Sequence, residues 1–363
     1  MKKNKRKSTF AKERRPLGEI ALKSSITFFC VALFFVLFNI FGGVKFFYDS
    51  VYADAARGSE FQIHTIDVEN GDAFIIKLPN NKTMLIDCGE ALYEKKVVSY
   101  VKQYLQSEKL NKIDYFVLTH PDSDHVGNAG AIFENFRVEN LYRPKIYSID
   151  ESDYIAPNPA YKIETSVHYN AAISAAYKEG CNILFNEEGI KLTEGNASVQ
   201  FLSPAAASYE KDNNYSAVLL IKYYSKSFLF MGDAEKEIEQ SLINKYGDKL
   251  DVDVLKIGHH GSKSSTSEEF LNVVKPQYAI LSCSKNSNIL PSQEIIERVE
   301  NIGCQSFSTA KLGNFVIYVN LNQIYCNQAN LGFNYWTIIF AVGLIGLLIM
   351  WKIPFLTKQT QKK

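Results

Sequence analysis

Short runs of β-branched and aromatic residues alternate with stretches of helical periodicity along residues 61–326. Clusters of glycine, proline and asparagine separate these runs and indicate turns. The first half of this region is therefore predicted to be rich in β-hairpins. Its predicted elements are strands Phe61–Val68, Ala73–Leu78 and Thr83–Asp87, a helix over about Leu92–Gln106, a buried strand Asp114–Thr119 and a helix from about Val126.

The second half alternates helix with strand and ends in a hairpin. Two sheets packed face to face, with helices outside them, fit this order of elements, so the predicted fold class is α+β. Residues Asp150–Pro159 are predicted to form a long surface loop. The other predicted elements are strands Val199–Leu202, Ala217–Tyr224, Ser227–Met231 and Val252–Ile257, helix Ala234–Lys245, helix–strand pairs within Ser267–Leu281 and Ser292–Ser308, and hairpin strands Phe315–Val319 and Gln323–Cys326.

Two long apolar runs lie outside this domain, at Ile26–Val44 and Tyr335–Trp351. A membrane-spanning helix needs about 20 apolar residues, and Trp336 and Trp351 bracket the second run as interfacial anchors. Transmembrane helices are therefore predicted at 25–48 and 332–352, with a buried core helix as the alternative for each. The tripeptide Ala53–Ala55 leaves open whether the first span is an uncleaved signal anchor or a cleaved signal.

Charge is unevenly distributed along the chain. Residues 1–23 carry net +7, the tail from Lys352 carries net +4, and residues 49–330 hold 26 basic and 37 acidic residues, net −11. The positive-inside rule places basic flanks in the cytoplasm. The N-terminus (1–24) and the tail (353–363) are therefore predicted to be cytoplasmic, which leaves the acidic domain (60–327) outside the cell membrane. Cysteines other than Cys30 number five and show no C-x-x-C spacing, so no zinc ribbon is predicted.

The strongest chemical signal is the heptapeptide Thr119–His125, which follows a predicted strand and precedes a predicted helix. It places two imidazoles and two carboxylates within six residues, namely His120, Asp122, Asp124 and His125. A strand-to-helix loop can turn these side chains toward one side, where they would meet a pair of cations. As an alternative, Asp122 or Asp124 would cap the helix, but a cap accounts for one acid and for neither histidine.

The H-x-D-x-D-H pattern of residues 120–125 resembles the second motif of the metallo-β-lactamase superfamily, and its aspartate at 122 resembles the hydrolase domain of the ComEC competence-protein family. The resemblance covers about residues 61–326 and implies a four-layer αββα metallo-β-lactamase fold flanked by the two transmembrane helices. Further matching segments follow in the family's order: Ile66–Ala73 (IDVENGDA), Leu85–Gly89 (LIDCG), Asn213–Ser216 (NNYS) with Phe230–Glu235 (FMGDAE), and Lys256–Ser262 (KIGHHGS).

The resemblance implies two divalent metal ions, for which zinc and manganese both suit the mixed carboxylate and imidazole ligands. His120 and Asp122 are expected to bind the first ion, and Asp124 and His125 the second. Asp233 is expected to bridge both ions. Asp122, Asp124 and Asp233 are also the residues expected to be catalytic.

His259 or His260 is expected to complete the second metal site. Asp72, Asp87 and Asn214 are expected to lie behind the ligands and to orient them through hydrogen bonds. Taken singly, each has a simpler interpretation, such as a turn after a strand or a polar surface loop.

Leu290 stands where the family often carries a further histidine, within Asn286–Pro291. The first metal site is therefore expected to be short of protein ligands, and the sequence leaves open whether one or two ions bind. Ser262 and Lys263 follow the histidine pair and are expected to contact a substrate phosphate, with ordinary loop solvation as the alternative.

The expected function is that of a membrane-anchored, metal-dependent phosphodiesterase or nuclease, which acts on DNA outside the cytoplasmic membrane through a metal-activated water. Expected partners are the membrane, DNA or another phosphodiester, and a DNA-uptake channel. The net charge of −11 argues against strong non-specific DNA binding, which depends on lysine and arginine. Alternatives are a teichoic-acid or phosphocholine-type phosphodiesterase of the cell surface and a non-catalytic membrane-held module with a degenerate metal site.

Overall fold

The computed structural model describes residues 28, 29, 32, 59–153, 156, 158–164, 166–320 and 323–326. The chain divides into two compact units, one of residues 53–329 and one formed by residues 1–52 and 330–363. Apart from residues 28, 29 and 32, the predicted spans (25–48 and 332–352) and the basic termini lie outside the described residues. Across the described part of the chain, no helix is both long and apolar enough to cross a membrane.

The unit of residues 53–329 is built on short strands with helices between them. The strands are β1 (Phe61–Thr65), β2 (Phe74–Leu78), β3 (Lys82–Ile86), β4 (Lys112–Val117), β5 (Arg137–Arg143), β6 (Ile146–Ser148), β7 (Lys162–Glu164), β8 (Asn182–Phe185), β9 (Lys191–Glu194), β10 (Ala197–Ser203), β11 (Val218–Tyr223), β12 (Lys226–Phe230), β13 (Val254–Lys256), β14 (Tyr278–Leu281), β15 (Gln305–Ser308), β16 (Phe315–Asn320) and β17 (Gln323–Cys326). The α-helices are α1 (Glu94–Ser107), α2 (Ser123–Val126), α3 (Ala129–Asn135), α4 (Val167–Glu179), α5 (Lys236–Tyr246), α6 (Glu268–Val274), α7 (Gln293–Asn301) and α8 (Thr309–Leu312).

Two large mixed sheets form the centre of this unit. The first has the order β17-β16-β1-β2-β3-β4-β5-β8, and the second has the order β15-β14-β13-β12-β11-β10-β9. Strands β3, β4, β5 and β8 run parallel in the first sheet, as do β12 to β15 in the second. Because the carboxyl ends of parallel strands share one edge, the loops that follow them converge there. A two-stranded parallel sheet, β6-β7, lies apart from both.

The two sheets pack face to face through aromatic side chains. The Phe61 ring on β1 stacks on Phe228 of β12 at 5.2 Å, and the Phe74 ring on β2 meets Phe230 edge-on at 5.3 Å. Apolar residues of α1, α3 and α4 pack on the outer face of the first sheet, and those of α5, α6 and α7 pack on the second. The predicted α+β architecture, with two facing sheets and helices outside them in αββα layers, is therefore confirmed for this unit.

Serine caps begin several of the outer helices. The Ser267 side chain accepts a hydrogen bond from the Phe270 backbone N–H at the start of α6, and Ser292 accepts one from Ile295 at the start of α7. Helix α4 begins with such a cap and ends at Gly180 in the left-handed region, with φ of 84°. These local signals set where the outer helices begin and end. The helices cover the faces of the sheets, and the site lies at the strand ends.

Candidate metal centre

The heptapeptide Thr119–His125 lies between β4 and α2. Helix α2 begins at Ser123, three residues before the predicted start, and is only four residues long. Asp122 stands at the N-cap position, but its side chain makes no capping hydrogen bond. The capping interpretation is therefore wrong for Asp122, and both carboxylates of the motif are available for other contacts.

Other strand ends bring further polar side chains to the same edge. Asp87 follows β3 with φ of 53°, and Asp233 follows β12. His259 and His260 follow β13 and both adopt left-handed backbone conformations, with φ of 46° and 50°. Consecutive non-glycine residues in this region are strained, and such strain persists where the surrounding structure holds it. This turn brings the Nε2 atoms of both imidazoles to within 4 Å of Asp233 Oδ2.

Four side chains form a compact group: Asp124, His125, Asp233 and His260. The His125 and His260 Nε2 atoms lie 3.2 Å apart. His125 Nε2 is 3.3 Å from Asp233 Oδ1, and His260 Nε2 is 3.4 Å from both Asp233 Oδ2 and Asp124 Oδ2. Ligand atoms around one tetrahedral cation lie roughly 3.3–3.6 Å apart when their bonds are about 2.0–2.2 Å long. These four residues therefore have the spacing of a metal site.

Hydrogen bonds at Nδ1 orient the two imidazoles of this group. His125 Nδ1 donates to Asp87 Oδ2 at 2.8 Å, and His260 Nδ1 donates to the Ser282 carbonyl at 3.0 Å. A carbonyl can only accept, so one proton of His260 is on Nδ1, and the neutral imidazole has its lone pair on Nε2, facing the group. Hydrogen bonds of this kind are typical of metal-binding histidines.

His120 is oriented through a hydroxyl. Its Nδ1 lies 3.1 Å from Thr119 Oγ1, which itself donates to Asp87 Oδ2 at 2.7 Å. Thr119 Oγ1 therefore accepts from His120, and His120 Nε2 is left unprotonated. That nitrogen is buried and has no hydrogen-bond partner. Asp87 thus orients His125 directly and His120 through Thr119.

A second, more open group surrounds Asp233 Oδ2. His120 Nε2 lies 4.0 Å from this oxygen and 3.6 Å from Asp122 Oδ2, and His259 Nε2 lies 3.8 Å from it. Asp122 is 46% exposed and His259 is 28% exposed, so this side opens toward solvent. Among the described residues, the closely spaced groups of three or more ligand atoms are the compact group and the trio Asp72, Asp87 and His125.

The structure thus divides the predicted ligands into a compact group and a more open set. Asp124, His125, Asp233 and His260 come together, while His120 and His259 each approach Asp233 and Asp122 approaches His120. The sequence left open which histidine of the pair lies in the second site, and the geometry places His260 there.

Electrostatic coupling within the centre is strong. Burial alone would raise the pKa of Asp233, but the positive charges of His260 and His125 hold it well below its usual range. Burial would lower the pKa of His260, but the charge of Asp233 and a hydrogen bond with Asp124 raise it to about 9. The pKa of His125 is raised well above its usual value against burial, chiefly by Asp233 and Asp87. When no cation is present, the protonated imidazoles therefore attract the neighbouring carboxylates and stabilise the group.

The outer group differs in charge balance. The pKa of Asp122 is lowered, chiefly by the His120 imidazole, whose Nε2 lies 3.6 Å from its carboxylate. Burial lowers the pKa of His259 and outweighs the opposing effect of Asp233. His259 is therefore neutral near pH 7, which is the form of imidazole that binds metals.

Unpartnered polar atoms support cation binding at the centre. His120 Nε2 and Asp233 Oδ1 are buried and make no hydrogen bond. Buried polar groups are rarely left in this state, because the lost hydrogen bonds with water cost free energy. Carboxylates and imidazole lone pairs are the donors that zinc and manganese accept. The residues present therefore fit a divalent metal.

A buried ion pair lies behind His260. Lys256 Nζ is 2.8 Å from Asp72 Oδ2, and both side chains are almost fully buried. Asp72 Oδ1 is 3.6 Å from His260 Nδ1, and its backbone N–H donates to the Asp124 carbonyl at 3.3 Å. Asp72 therefore connects β13 with helix α2, which carries Asp124. The sequence did not single out Lys256, and a lysine buried in an otherwise apolar strand is the signal that was available.

Asn214 lies beside the centre and supports a neighbouring loop. Its amide donates to Glu237 Oε2 at 2.7 Å and its Oδ1 accepts from the Glu235 backbone N–H at 3.2 Å. Ser216, from the same NNYS segment, accepts from the Asp233 backbone N–H at 3.0 Å. Ser216 therefore contacts the proposed bridging residue itself, although the sequence had emphasised Asn214.

The residues after the histidine pair have protein partners. Lys263 is exposed and its Nζ lies 3.7 Å from Glu294, while the Ser262 hydroxyl lies 3.1 Å from that of Ser264. Leu290 precedes Pro291, against which a side chain at Gly261 would collide at 2.6 Å. The loop that contains Leu290 therefore packs next to the histidine turn and contributes no imidazole there.

Residues 66–285 match the Metallo-beta-lactamase superfamily, and the chain belongs to it. The chain is 28% identical over 83% of its length to the ComE operon protein 3 of Bacillus subtilis, of which it covers 36%. It is 28% identical over 76% of its length to Recombination protein 2 of Haemophilus influenzae, of which it covers 31%. The chain thus spans about a third of the length of these curated relatives. The resemblance to ComEC-like competence proteins is confirmed.

Solved structures show a more distant similarity. One is the metallo-beta-lactamase fold protein YhfI from Bacillus subtilis, which is 13% identical and has a TM-score of 0.45. The superposition includes 71% of this chain and 98% of the YhfI chain.

Proposed function

We propose that the chain is a membrane-anchored, metal-dependent phosphodiesterase that cleaves DNA outside the cytoplasmic membrane. The observation that supports this most directly is the compact group Asp124, His125, Asp233 and His260, whose ligand atoms have the spacing of a cation site. Two divalent cations, when bound, would lower the pKa of a water and neutralise charge on a phosphate ester.

The chain's own residues would hold this arrangement rigid. Asp87 accepts hydrogen bonds that set the orientation of His125 and, through Thr119, of His120. Asp233, buried between the two groups, would be shared by both cations. Asp122 and Asp124 are 46% and 32% exposed, so a substrate phosphate would approach the cations past these two carboxylates. The substrate ester would thus be positioned against imidazoles and carboxylates that are already oriented. No free energy would then be needed to rearrange these groups during the reaction.

Similarity to competence proteins favours DNA as the substrate. The relatives are named as a ComE operon protein and a recombination protein, and each is about three times as long as the matched region. By analogy with these relatives, a DNA-uptake channel is the proposed partner. Membrane anchoring is proposed from the apolar runs at 25–48 and 332–352 and from the basic residues outside them.

A cell-surface phosphodiesterase that acts on teichoic-acid phosphocholine is the second candidate. Its support is the charge near the site, where Lys211 pairs with Glu235 and Lys263 with Glu294. These lysines are already neutralised by carboxylates, whereas DNA binding gains affinity from free basic groups. A short or zwitterionic phosphodiester would not depend on such groups.

The proposal is tested with the purified full-length chain in detergent. Release of nitrophenol from bis-(p-nitrophenyl) phosphate is expected with Mn²⁺ or Zn²⁺ and is expected to stop with EDTA. Asp124→Asn and Asp233→Asn are expected to lower the rate at least about 100-fold, because each removes a ligand from the compact group. Asp251→Asn, at an exposed carboxylate away from the site, is the matched control.

Single-stranded DNA and a phosphocholine ester then distinguish the two candidates. Preferential cleavage of DNA supports the first, and cleavage of the choline ester alone supports the second. Turnover that survives EDTA and both substitutions would show that the proposed metal-dependent activity is wrong. Absence of both bound metal and turnover would favour a non-catalytic module.

A further inference from the structure

His259 lies next to the centre but outside its compact group. Its Nε2 is 3.8 Å from Asp233 Oδ2, the same oxygen that lies 4.0 Å from His120 Nε2. The left-handed backbone at His259 and His260 brings both Nε2 atoms to Asp233 Oδ2, at 3.8 Å for His259 and 3.4 Å for His260. His259 is 28% exposed and His260 only 2%, so His259 lies on the side that opens toward solvent. Such a strained backbone pair indicates that both imidazole positions are used.

The other nitrogen of His259 is held by a small polar network. His259 Nδ1 lies 3.1 Å from Ser264 Oγ and 3.7 Å from Glu235 Oε1. Ser264 forms a hydrogen bond with Glu235, whose carboxylate also forms an ion pair with Lys211. Because the carboxylate can only accept, the Ser264 hydroxyl donates to it and accepts from His259 Nδ1.

Asn213 completes this network. Its Nδ2 lies 3.5 Å from Glu235 Oε1 and 3.2 Å from His259 Nδ1. Asn213 Nδ2 can only donate, so its contact with His259 Nδ1 is a hydrogen bond only when that nitrogen is unprotonated. When Nδ1 carries the proton, which the nearby Glu235 charge favours, the Asn213 amide donates to Glu235 alone. In that tautomer His259 Nε2 has a free lone pair that faces Asp233.

A similar path of hydrogen bonds, from an imidazole through a hydroxyl to a carboxylate, orients His120. There the path runs from His120 Nδ1 to the Thr119 hydroxyl and on to the Asp87 carboxylate. At His259 it runs from Nδ1 to the Ser264 hydroxyl and on to the Glu235 carboxylate. Both imidazoles therefore present Nε2 to the open side of Asp233.

We propose that His259 supplies the imidazole that the first cation position otherwise lacks, and that Ser264 and Glu235 are positioning residues that set its tautomer. The first position would then consist of His120, Asp122, Asp233 and His259, and the second of Asp124, His125, Asp233 and His260. This inference rests on the metal dependence of the proposed function. The separations around the first position are 3.6–4.0 Å. Around the second position four are 3.2–3.4 Å and one, from His125 Nε2 to Asp124 Oδ2, is 4.0 Å, so the first cation is expected to bind more weakly.

Metal content of the full-length chain tests this assignment without reference to activity. Atomic emission after gel filtration is expected to give two equivalents of Mn²⁺ for the unmodified chain. His259→Ala is expected to retain one equivalent and to weaken the other at least about 10-fold, and its electron paramagnetic resonance spectrum is expected to change from a coupled pair to an isolated Mn²⁺. His168→Ala, on helix α4 and outside the site, is the matched control and is expected to behave like the unmodified chain.

Variants of the positioning residues separate orientation from folding. Ser264→Ala is expected to weaken the first cation about 10-fold, as loss of a ligand's hydrogen-bond partner generally does. Ser264→Thr keeps the hydroxyl and is expected to restore binding. The inference is overturned if His259→Ala binds two cations with unchanged affinity, if the unmodified chain binds only one, or if Ser264→Thr binds no better than Ser264→Ala.

The outcomes also distinguish this inference from the proposed function. Two cations that depend on His259, without cleavage of any phosphodiester, would support the assignment and contradict the function. Metal-dependent cleavage that is unchanged by His259→Ala and Ser264→Ala would support the proposed function and contradict the assignment of His259.

Discussion

His125 donates its Nδ1 proton to Asp87 Oδ2 across 2.8 Å, and both side chains are completely buried. The same carboxylate accepts from the Thr119 hydroxyl at 2.7 Å, while its other oxygen accepts from the Thr119 backbone N–H at 2.8 Å. Both oxygens of Asp87 therefore face donors. This arrangement makes one residue, which would not touch a cation itself, responsible for the orientation of two imidazoles.

Asp87→Asn is expected to weaken metal binding about 10–100-fold. An asparagine tolerates the left-handed backbone at this position, but its NH₂ group must face a donor whichever way the amide is turned. Isothermal titration with Zn²⁺ or Mn²⁺ measures the change, with Asp251→Asn as the control. An unchanged dissociation constant would contradict the orienting role of Asp87.

The stability of the metal-free protein is expected to depend on pH through His260. Its pKa is raised from 6.5 to about 9, against burial, by the charge of Asp233 and a hydrogen bond with Asp124. A raised pKa means that the folded state binds the proton more tightly than the unfolded state. This stabilisation is complete below about pH 6.5 and is lost as the pH rises through about 9.

Thermal unfolding in EDTA measures this effect. The melting temperature is expected to fall as the pH rises from about 6.5 to about 9, and His260→Gln is expected to flatten the curve. Apparent metal affinity is expected to rise over the same interval, because imidazole must lose its proton before it binds a cation. A melting temperature independent of pH in EDTA would show that His260 is not protonated in the folded state.

Lys256→Met is expected to destabilise the fold by about 3–5 kcal/mol, because it leaves the Asp72 carboxylate buried without its cation. Lys96→Met removes an ion pair with Asp67 at the surface and is expected to cost less than about 1 kcal/mol. Urea denaturation compares the two. The double variant Lys256→Met with Asp72→Asn is expected to recover part of the loss, and no recovery would show that the lysine acts through packing alone.

Much of the fold and centre was predictable because the signals are local. The heptapeptide Thr119–His125 joins a strand to a helix within a few residues, and its ligand types are visible without any long-range contact. Strands β1 to β4 were predicted within three residues of their ends because turn residues bound them. The edge strand β9 and the parallel strands β5, β6, β7 and β8 were not predicted, since their pairing rather than their composition defines them.

Other features depend on contacts that no local pattern encodes. The choice between His259 and His260 follows from two left-handed backbone conformations, which neither helical nor strand periodicity predicts. The pairing of Lys256 with Asp72 and of Ser264 with Glu235 joins segments distant in sequence. The apolar runs at 25–48 and 332–352 lie largely outside the described residues, so the membrane topology stays a prediction.

Gly71→Ala is expected to lower metal affinity at least about 10-fold. A side chain at Gly71 would lie 2.4 Å from the Asp124 carbonyl oxygen, so the new methyl group must displace the backbone that carries Asp124. Gly189 provides a matched control, because it also has positive φ but meets nothing within 4 Å. Gly189→Ala is expected to cost about 1–2 kcal/mol of stability from backbone strain alone and to leave metal binding unchanged. Equal metal affinities in the two variants would show that contact with Gly71 does not hold Asp124 in place.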